Sequence, residues 1–278
     1  MLLMIGLEWL EELISYSIAS TYLKNEVPVS LLIVSEVETG KSQVLKKFSE
    51  IESVIVLTKA TAYGFLRDYL PQIQSRQKRT IIIPDLVQLT MGLNPNLYQQ
   101  FIVLFNALVE EGIRNVSTGN ISITLSEDIR VNLISALPKK ELEDKRKLRK
   151  WQNIGFMSRM LPVSFSYDLL TIAEIFEYLY RDEFKKEEKI QLKLPKEDIE
   201  VTISVDLAKE LTPYAIQLAR VTKTYGFRHQ RQLQTLCKAR ALLNGRTEVI
   251  REDVERIRFL AHWINLDFNE VPSNLFNQ

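Results

Sequence analysis

Eight consecutive residues, Ser35-Glu36-Val37-Glu38-Thr39-Gly40-Lys41-Ser42, put a glycine, a lysine and a hydroxyl in an order that can hold a phosphate. Such a site needs a loop whose backbone N–H groups wrap the anion, a lysine reaching the terminal phosphate oxygens, and a hydroxyl on Mg²⁺ at a helix N-terminus. Gly40, Lys41 and Ser42 stand at the G-x-x-x-x-G-K-S spacing, with Ser35 in place of the first glycine. Glu36 and Glu38 fit beside a polyphosphate only if their side chains point outward, because like charges repel at close range. The competing description is a strand-turn-helix with an incidental Gly-Lys-Ser; the strand context and the helix start favour phosphate. A second requirement is a carboxylate on the metal side of the nucleotide, at the end of a neighbouring strand, and Asp85 in "RTIIIPDL" has that form. Capping the end of its own strand is the alternative role for Asp85. The next residue is Leu86, which brings no carboxylate of its own.

The elements that must position these residues follow from hydrophobic patterning. Short β-rich runs occur at "VSLLIVS" (29–35), "SVIVLT" (53–58), "TIIIPD" (80–85), "ISITL" (121–125), "NLISAL" (132–137) and "LPVSFSY" (161–167). Helix-like stretches lie between several of them, including "KSQVLKKF", "AYGFLRDYLPQI" and "LYQQFIVLFNALVEEG". This alternation predicts an α/β fold with a largely parallel sheet, and unalternated strands such as "LLIV" suit a sheet covered by helices on both faces. Leu7, Leu10, Leu13, Ile14 and Ile18 recur at helical spacing and predict a first amphipathic helix over about 8–23. Beyond Tyr167 the segments are helix-length and amphipathic, broken mainly by the β-like "KIQLKLPKEDIEVTI". The expected organisation is a nucleotide-binding α/β core over 1–167 and a mainly helical lid over 168–278.

Composition narrows the function classes. A formal charge of +1 argues against a strongly basic nucleic-acid binder. The charged run 138–152 is expected to be a solvated helix or loop, a nucleic-acid contact being its alternative. A single cysteine, Cys237, allows no internal disulfide and is expected in the core. With only His229 and His262 it completes no familiar zinc spacing, and His229 is expected on a helix surface. The aromatic residues Phe165, Tyr167, Phe176, Tyr178 and Tyr180 are expected in core or subunit packing. The apolar start "MLLMIGLEWLEELI" is interrupted by Glu8, Glu11 and Glu12 well short of the ~20 residues of a membrane span, so a soluble cytoplasmic protein is the expectation.

With the loop, the Asp85 strand and the helical C-terminal region together, the chain resembles an AAA+ ATPase, a P-loop NTPase, most like the MoxR and minichromosome-maintenance helicase group. The resemblance spans residues 5–264. Its sharpest part is "RQLQTLCKARALLNGRTEVIREDVERI", which is similar to the lid helix of that group. The resemblance implies a sensor-2 arginine over the γ-phosphate; the spacing from Gly245-Arg246 favours Arg228, and the local "RQL" favours Arg231. In "GFMSRMLPVSFSY", Arg159 matches the arginine finger that enters a neighbouring subunit's site, a locally paired surface arginine being the alternative. "NALVEEGIRNVSTGNISITL" has the group's helix end and hairpin, and Glu110 and Glu111 are expected as surface residues there. The sensor-1 region departs from the pattern, leaving Ser135 as its nearest polar candidate, with a core position as its alternative. Leu86 stands where such NTPases often carry the glutamate that polarises the attacking water, so the resemblance implies weak ATP hydrolysis. The implied cofactors are ATP and Mg²⁺, with Asp85 and Arg159 catalytic, residues 35–42 and Arg228 or Arg231 on the nucleotide, and Ser42 and Asp85 on the metal. The implied partners are further copies in a ring or filament, or another ATPase, acting on a protein or DNA client. A non-catalytic adaptor on the same fold is a second reading. A DNA motor, with Arg114 and 139–150 as its basic candidates, is a third.

Overall fold

The computed structural model describes residues 6–91, 94–118, 121–144, 155–181 and 188–271. The chain opens with α1 (Glu8–Ala19), which runs on through a 3-10 turn over Ser20–Tyr22. Then follow β1 (Ser30–Ser35), α2 (Lys41–Lys46), β2 (Val54–Val56), α3 (Ala62–Gln74), β3 (Thr80–Ile83), α4 (Leu86–Thr90) and α5 (Pro95–Asn106). A π-helical turn, Ala107–Glu111, leads into an antiparallel hairpin of β4 (Ile113–Thr118) and β5 (Ile121–Ile129). After it come β6 (Asn132–Pro138), α6 (Lys140–Glu143), α7 (Phe156–Arg159) and β7 (Met160–Ser164).

Five of these strands form one parallel sheet in the order β2-β3-β6-β1-β7. All six residues of β1 are buried, as expected of a strand with neighbours on both sides and helices on both faces. Successive residues alternate between two apolar clusters. Leu31 and Ile33 face a cluster shared with Leu10, Leu13 and Ile14 of α1; Leu32 and Val34 face one built with Phe65 and Leu66 of α3 and Phe101 and Phe105 of α5. The α/β fold with a helix-covered parallel sheet, read from alternation alone, is therefore the fold observed.

The remainder comprises β8 (Ser166–Tyr167), α8 (Leu169–Tyr180), α9 (Val205–Lys209), α10 (Thr212–Thr222), α11 (Phe227–Leu243), α12 (Arg251–Leu260) and β9 (Glu270–Val271), with β9 returning to pair parallel with β8. Leu218, Leu233, Leu236, Val254 and Ile257 from α10, α11 and α12 join the same apolar cluster as α1 and β1. The β-like segment around 190–203 makes only isolated bridges, Leu23 with Ile199 and Thr202 with Glu248. Pro195 removes a ladder donor there, while Ile190, Leu192, Leu194, Ile199 and Val201 still pack on the core cluster that α1 and β1 share.

Cys237 lies in the core as expected. His229 does not lie on the surface: it is buried, with Nε2 2.8 Å from Thr222 Oγ1 and Nδ1 3.0 Å from Gln232 Oε1. Phe165 is a core residue, whereas Phe176 and Tyr180 are exposed on α8. Of the charged run 138–152, residues 145–152 fall outside the described residues. No helix among the described residues is long and apolar enough to cross a membrane.

Candidate functional site

The loop 35–42 leaves the carboxyl end of β1 and enters α2 at Lys41. Gly40 takes φ 82°, a left-handed turn that lets the strand reverse into the helix and that a Cβ would strain. Ser35, in the place of the usual glycine, is fully buried, and its Oγ lies 2.5 Å from Thr39 Oγ1, which ties the two ends of the loop together. Lys41 is only 8% exposed. Its ammonium donates to the carbonyl of Ser35 at 3.1 Å, to Thr39 Oγ1 at 3.2 Å and to the carbonyl of Glu36. Burial pulls its pKa down to about 8, against the opposing fields of Asp85 and Glu36. Glu36, Val37 and Glu38 are exposed on the outer side of the loop, so neither carboxylate is directed into it. Ser42 donates to the Pro84 carbonyl at 2.8 Å, which joins the start of α2 to the end of β3 across the intervening β6.

Asp85 sits beside this junction. Its Oδ1 accepts from the N–H groups of Val87 at 2.9 Å and Gln88 at 3.0 Å, capping α4. This is a helix N-cap and not the strand-end cap considered as its alternative, and Oδ2 has no hydrogen-bond partner among the described residues. Ser135 lies inside β6 with its Oγ fully buried and without a hydrogen-bond partner, two residues short of the strand end that Leu137 and Pro138 form.

Leu86 departs from the expectation that it stands where a water could be oriented. As the first residue of α4 it turns under β3 into the apolar cluster and is 2% exposed. Leu86→Glu should therefore not raise turnover. It should cost about 2 kcal/mol of stability through lost burial, read as a fall in the urea midpoint at unchanged slope. A faster ATPase in the variant would show that the side chain reaches the reacting atoms.

Two neighbours of the loop were not legible from the sequence. Lys139, just beyond β6, places its ammonium 3.3 Å from Glu36 and 4.4 Å from the centre of the Phe268 ring, and its N–H donates to Ser35 O at 3.0 Å. Tyr167 donates from its hydroxyl to Thr39 O at 3.0 Å. A lysine after a strand and a tyrosine at the end of one have many roles, and only the parallel packing of β6, β1 and β7 brings these two to the loop.

The three arginines assigned by resemblance gather at the opposite rim. Met160 pairs with Ser30 at the start of β1, so Arg159 lies on the order of 17–20 Å along the strand direction from the loop that follows Ser35. Its guanidinium is 3.2 Å from Glu110 and also pairs with Glu111, while Nη1 donates to the Gly155 carbonyl at 2.9 Å. Arg228, in the first turn of α11, lies 2.5 Å from Glu110 and donates to Ser158 Oγ at 2.8 Å. Arg231 lines the same cleft, exposed and with no carboxylate partner among the described residues. Gly226 makes this docking possible: at φ 84° a Cβ there would approach the Ala215 carbonyl to 2.9 Å. Arg228 and Arg231 therefore do not join Lys41 within one chain, contrary to the expectation of a lid arginine over its own phosphate. Glu110 is not a plain surface residue either, since it bridges Arg159 and Arg228.

No protein-family model matches the chain, and no curated protein does. The chemistry must be read from the two rims themselves. One offers a buried lysine, a serine hydroxyl and a carboxylate around a turn between strand and helix. The other offers three guanidinium groups, one of them, that of Arg231, without a carboxylate partner among the described residues.

Proposed function

We propose that the chain binds ATP–Mg²⁺ at loop 35–42 as a divergent AAA+-like protein, and that nucleotide state alters how copies assemble on a protein or DNA client. The observation that carries this reading is the convergence of Lys41, Ser42 and Asp85 at the carboxyl end of β1. The chain leaves β1 toward β2 on one side and later lays β7 on the other. Open parallel sheets bind ligands at such switch points, outside the carboxyl ends of their strands.

In this reading Lys41 leaves the carbonyls of Ser35 and Glu36 to neutralise phosphate charge, and Ser42 and Asp85 Oδ2 hold the metal. Nucleotide supplies the phosphoanhydride and Mg²⁺ its charge. Hydrolysis is slow, because Leu86 is buried and brings no base to the site. A nucleotide-free adaptor is the second reading, favoured by one observation: the ammonium of Lys41 already has three oxygen partners in its own loop.

Calorimetric titration with ATP–Mg²⁺ across pH separates the two. Binding needs the ammonium, and in the free loop that ammonium deprotonates near pH 8. Affinity should hold steady below that value and fall above it, approaching about tenfold per pH unit as binding has to take up a proton. No binding at any pH would leave the adaptor reading standing.

A further inference from the structure

Glu36 and Glu38 are unusual flanks for a phosphate-binding loop, and their surroundings suggest a use. Val37, between them, is 67% exposed. Glu36 is shared with Lys139, but Glu38 has neither hydrogen bond nor ion pair among the described residues. It is also held at φ 65°, in the left-handed region that disfavours a residue with a Cβ by roughly 1–2 kcal/mol. Such conformations persist where surrounding structure fixes them, often at ligand clamps. The loop tip is thus a fixed acidic-apolar-acidic knuckle.

The opposite rim holds its complement. The cleft lined by Val27, Val109, Phe227, Arg159, Arg228 and Arg231 has a volume of about 250 Å³. That is below the roughly 300–1,000 Å³ of small-molecule pockets, so it suits a side chain or two better than a nucleotide. The two acids of this cleft are already engaged: Glu110 by Arg159 and Arg228, Glu26 by Lys238 at 2.5 Å. Among the described residues Arg231 is the cation of this cleft that has no carboxylate partner. The knuckle cannot reach this cleft in its own chain, because the two lie at opposite ends of the sheet.

We propose that Glu36-Val37-Glu38 of one copy seats in the Arg159–Arg228–Arg231 cleft of a second copy, with Glu38 paired to Arg231 and Val37 against Phe227. This rests on the reading that copies meet loop rim to arginine rim, and it adds that a carboxylate of the chain stands where phosphate charge would otherwise meet the arginines. The contact joins unlike surfaces, so it repeats head to tail and closes into a ring or extends as a filament. It needs no nucleotide, and salt weakens it.

The test is light scattering of the full chain without nucleotide, at low and high salt, with charge reversals. Wild type should associate at low salt. Glu38→Arg and Arg231→Glu should each weaken association at least about tenfold, because each opposes like charges across the contact. Mixing the two variants restores an opposite pair at every interface, so association should return; the doubly reversed chain should associate alone. A wild type that stays monomeric throughout, or folded single variants that fail to recover on mixing, overturns the docking. ATP–Mg²⁺ affinity is measured on the wild-type chain. Intact affinity without charge-swap rescue removes the docking alone, and rescue without nucleotide binding supports the docking while removing the nucleotide reading.

Discussion

Lys41→Ala is expected to weaken ATP–Mg²⁺ binding by about 100-fold. The ammonium is largely withdrawn from water, where a charge-assisted contact to phosphate is worth several kcal/mol; losing one such partner typically costs about 2–5 kcal/mol, and about 1.4 kcal/mol is a factor of ten. The fold should survive. Lys41 packs more tightly than a residue waiting for phosphate would need to, but its burial disfavours its own charge, as the pKa drawn down to about 8 attests. The folded-state pKa lies below the unfolded one, so at neutral pH the buried ammonium opposes folding. Lys41→Met, which keeps most of the volume and removes the charge, should unfold no sooner than wild type while sharing the loss of affinity. Calorimetry and thermal unfolding on both variants separate a binding defect from a folding one, and undiminished affinity in either would remove the lysine from the site.

What was legible in the sequence was what local pattern dictates. β1 and β3 announce themselves as unbroken apolar runs because both faces of the sheet are covered, and Gly40-Lys41-Ser42 sits at the joint between strand and helix that its spacing requires. What was hidden depends on tertiary approach. Arg159 meets Glu110 and Glu111 across almost fifty positions of sequence, and nothing in "EEG" or "SRM" marks them as partners. The direction of Leu86 was within reach: aspartate before an apolar run is a helix N-cap signal, and a helix starting at Leu86 turns that side chain inward. His229 misled because its arginine neighbours suggested solvent, whereas on α11 they point to the rim and the imidazole to the core. In α8 the apolar sequence did not separate core from subunit packing; Phe176 and Tyr180 are exposed in the single chain, so they are not in its core.

Asp253→Ala is expected to destabilise the protein by roughly 3–5 kcal/mol, the usual consequence of leaving buried cations without their counter-charge. Asp253 lies near the start of α12 and is fully buried. Its carboxylate is 2.5 and 2.7 Å from the guanidinium of Arg246, pairs with Arg240 of α11, and accepts from the Ile250 N–H at 2.9 Å. Three segments are held by one side chain: α11, the turn at Arg246, and the first turn of α12. Burial alone would raise its pKa, but the hydrogen bonds from Arg246, Ile250 N–H and Arg240 outweigh burial and keep the carboxyl below its usual value. The sign of the pH dependence follows. Because the folded pKa is the lower one, the stabilisation is complete above the unfolded value of about 3.9 and is lost as pH falls through the folded pKa. Wild type should thus lose stability on acidification below about pH 5 more steeply than Asp253→Asn, which keeps acceptors for part of the network and cannot titrate. Because α11 also carries Arg228 and Arg231, the alanine variant should loosen the arginine rim and weaken association between copies before it unfolds. Urea midpoints for wild type, Asp253→Asn and Asp253→Ala across this pH range measure each step, and parallel acid profiles for wild type and Asp253→Asn would show that the network does not hold the two helices together.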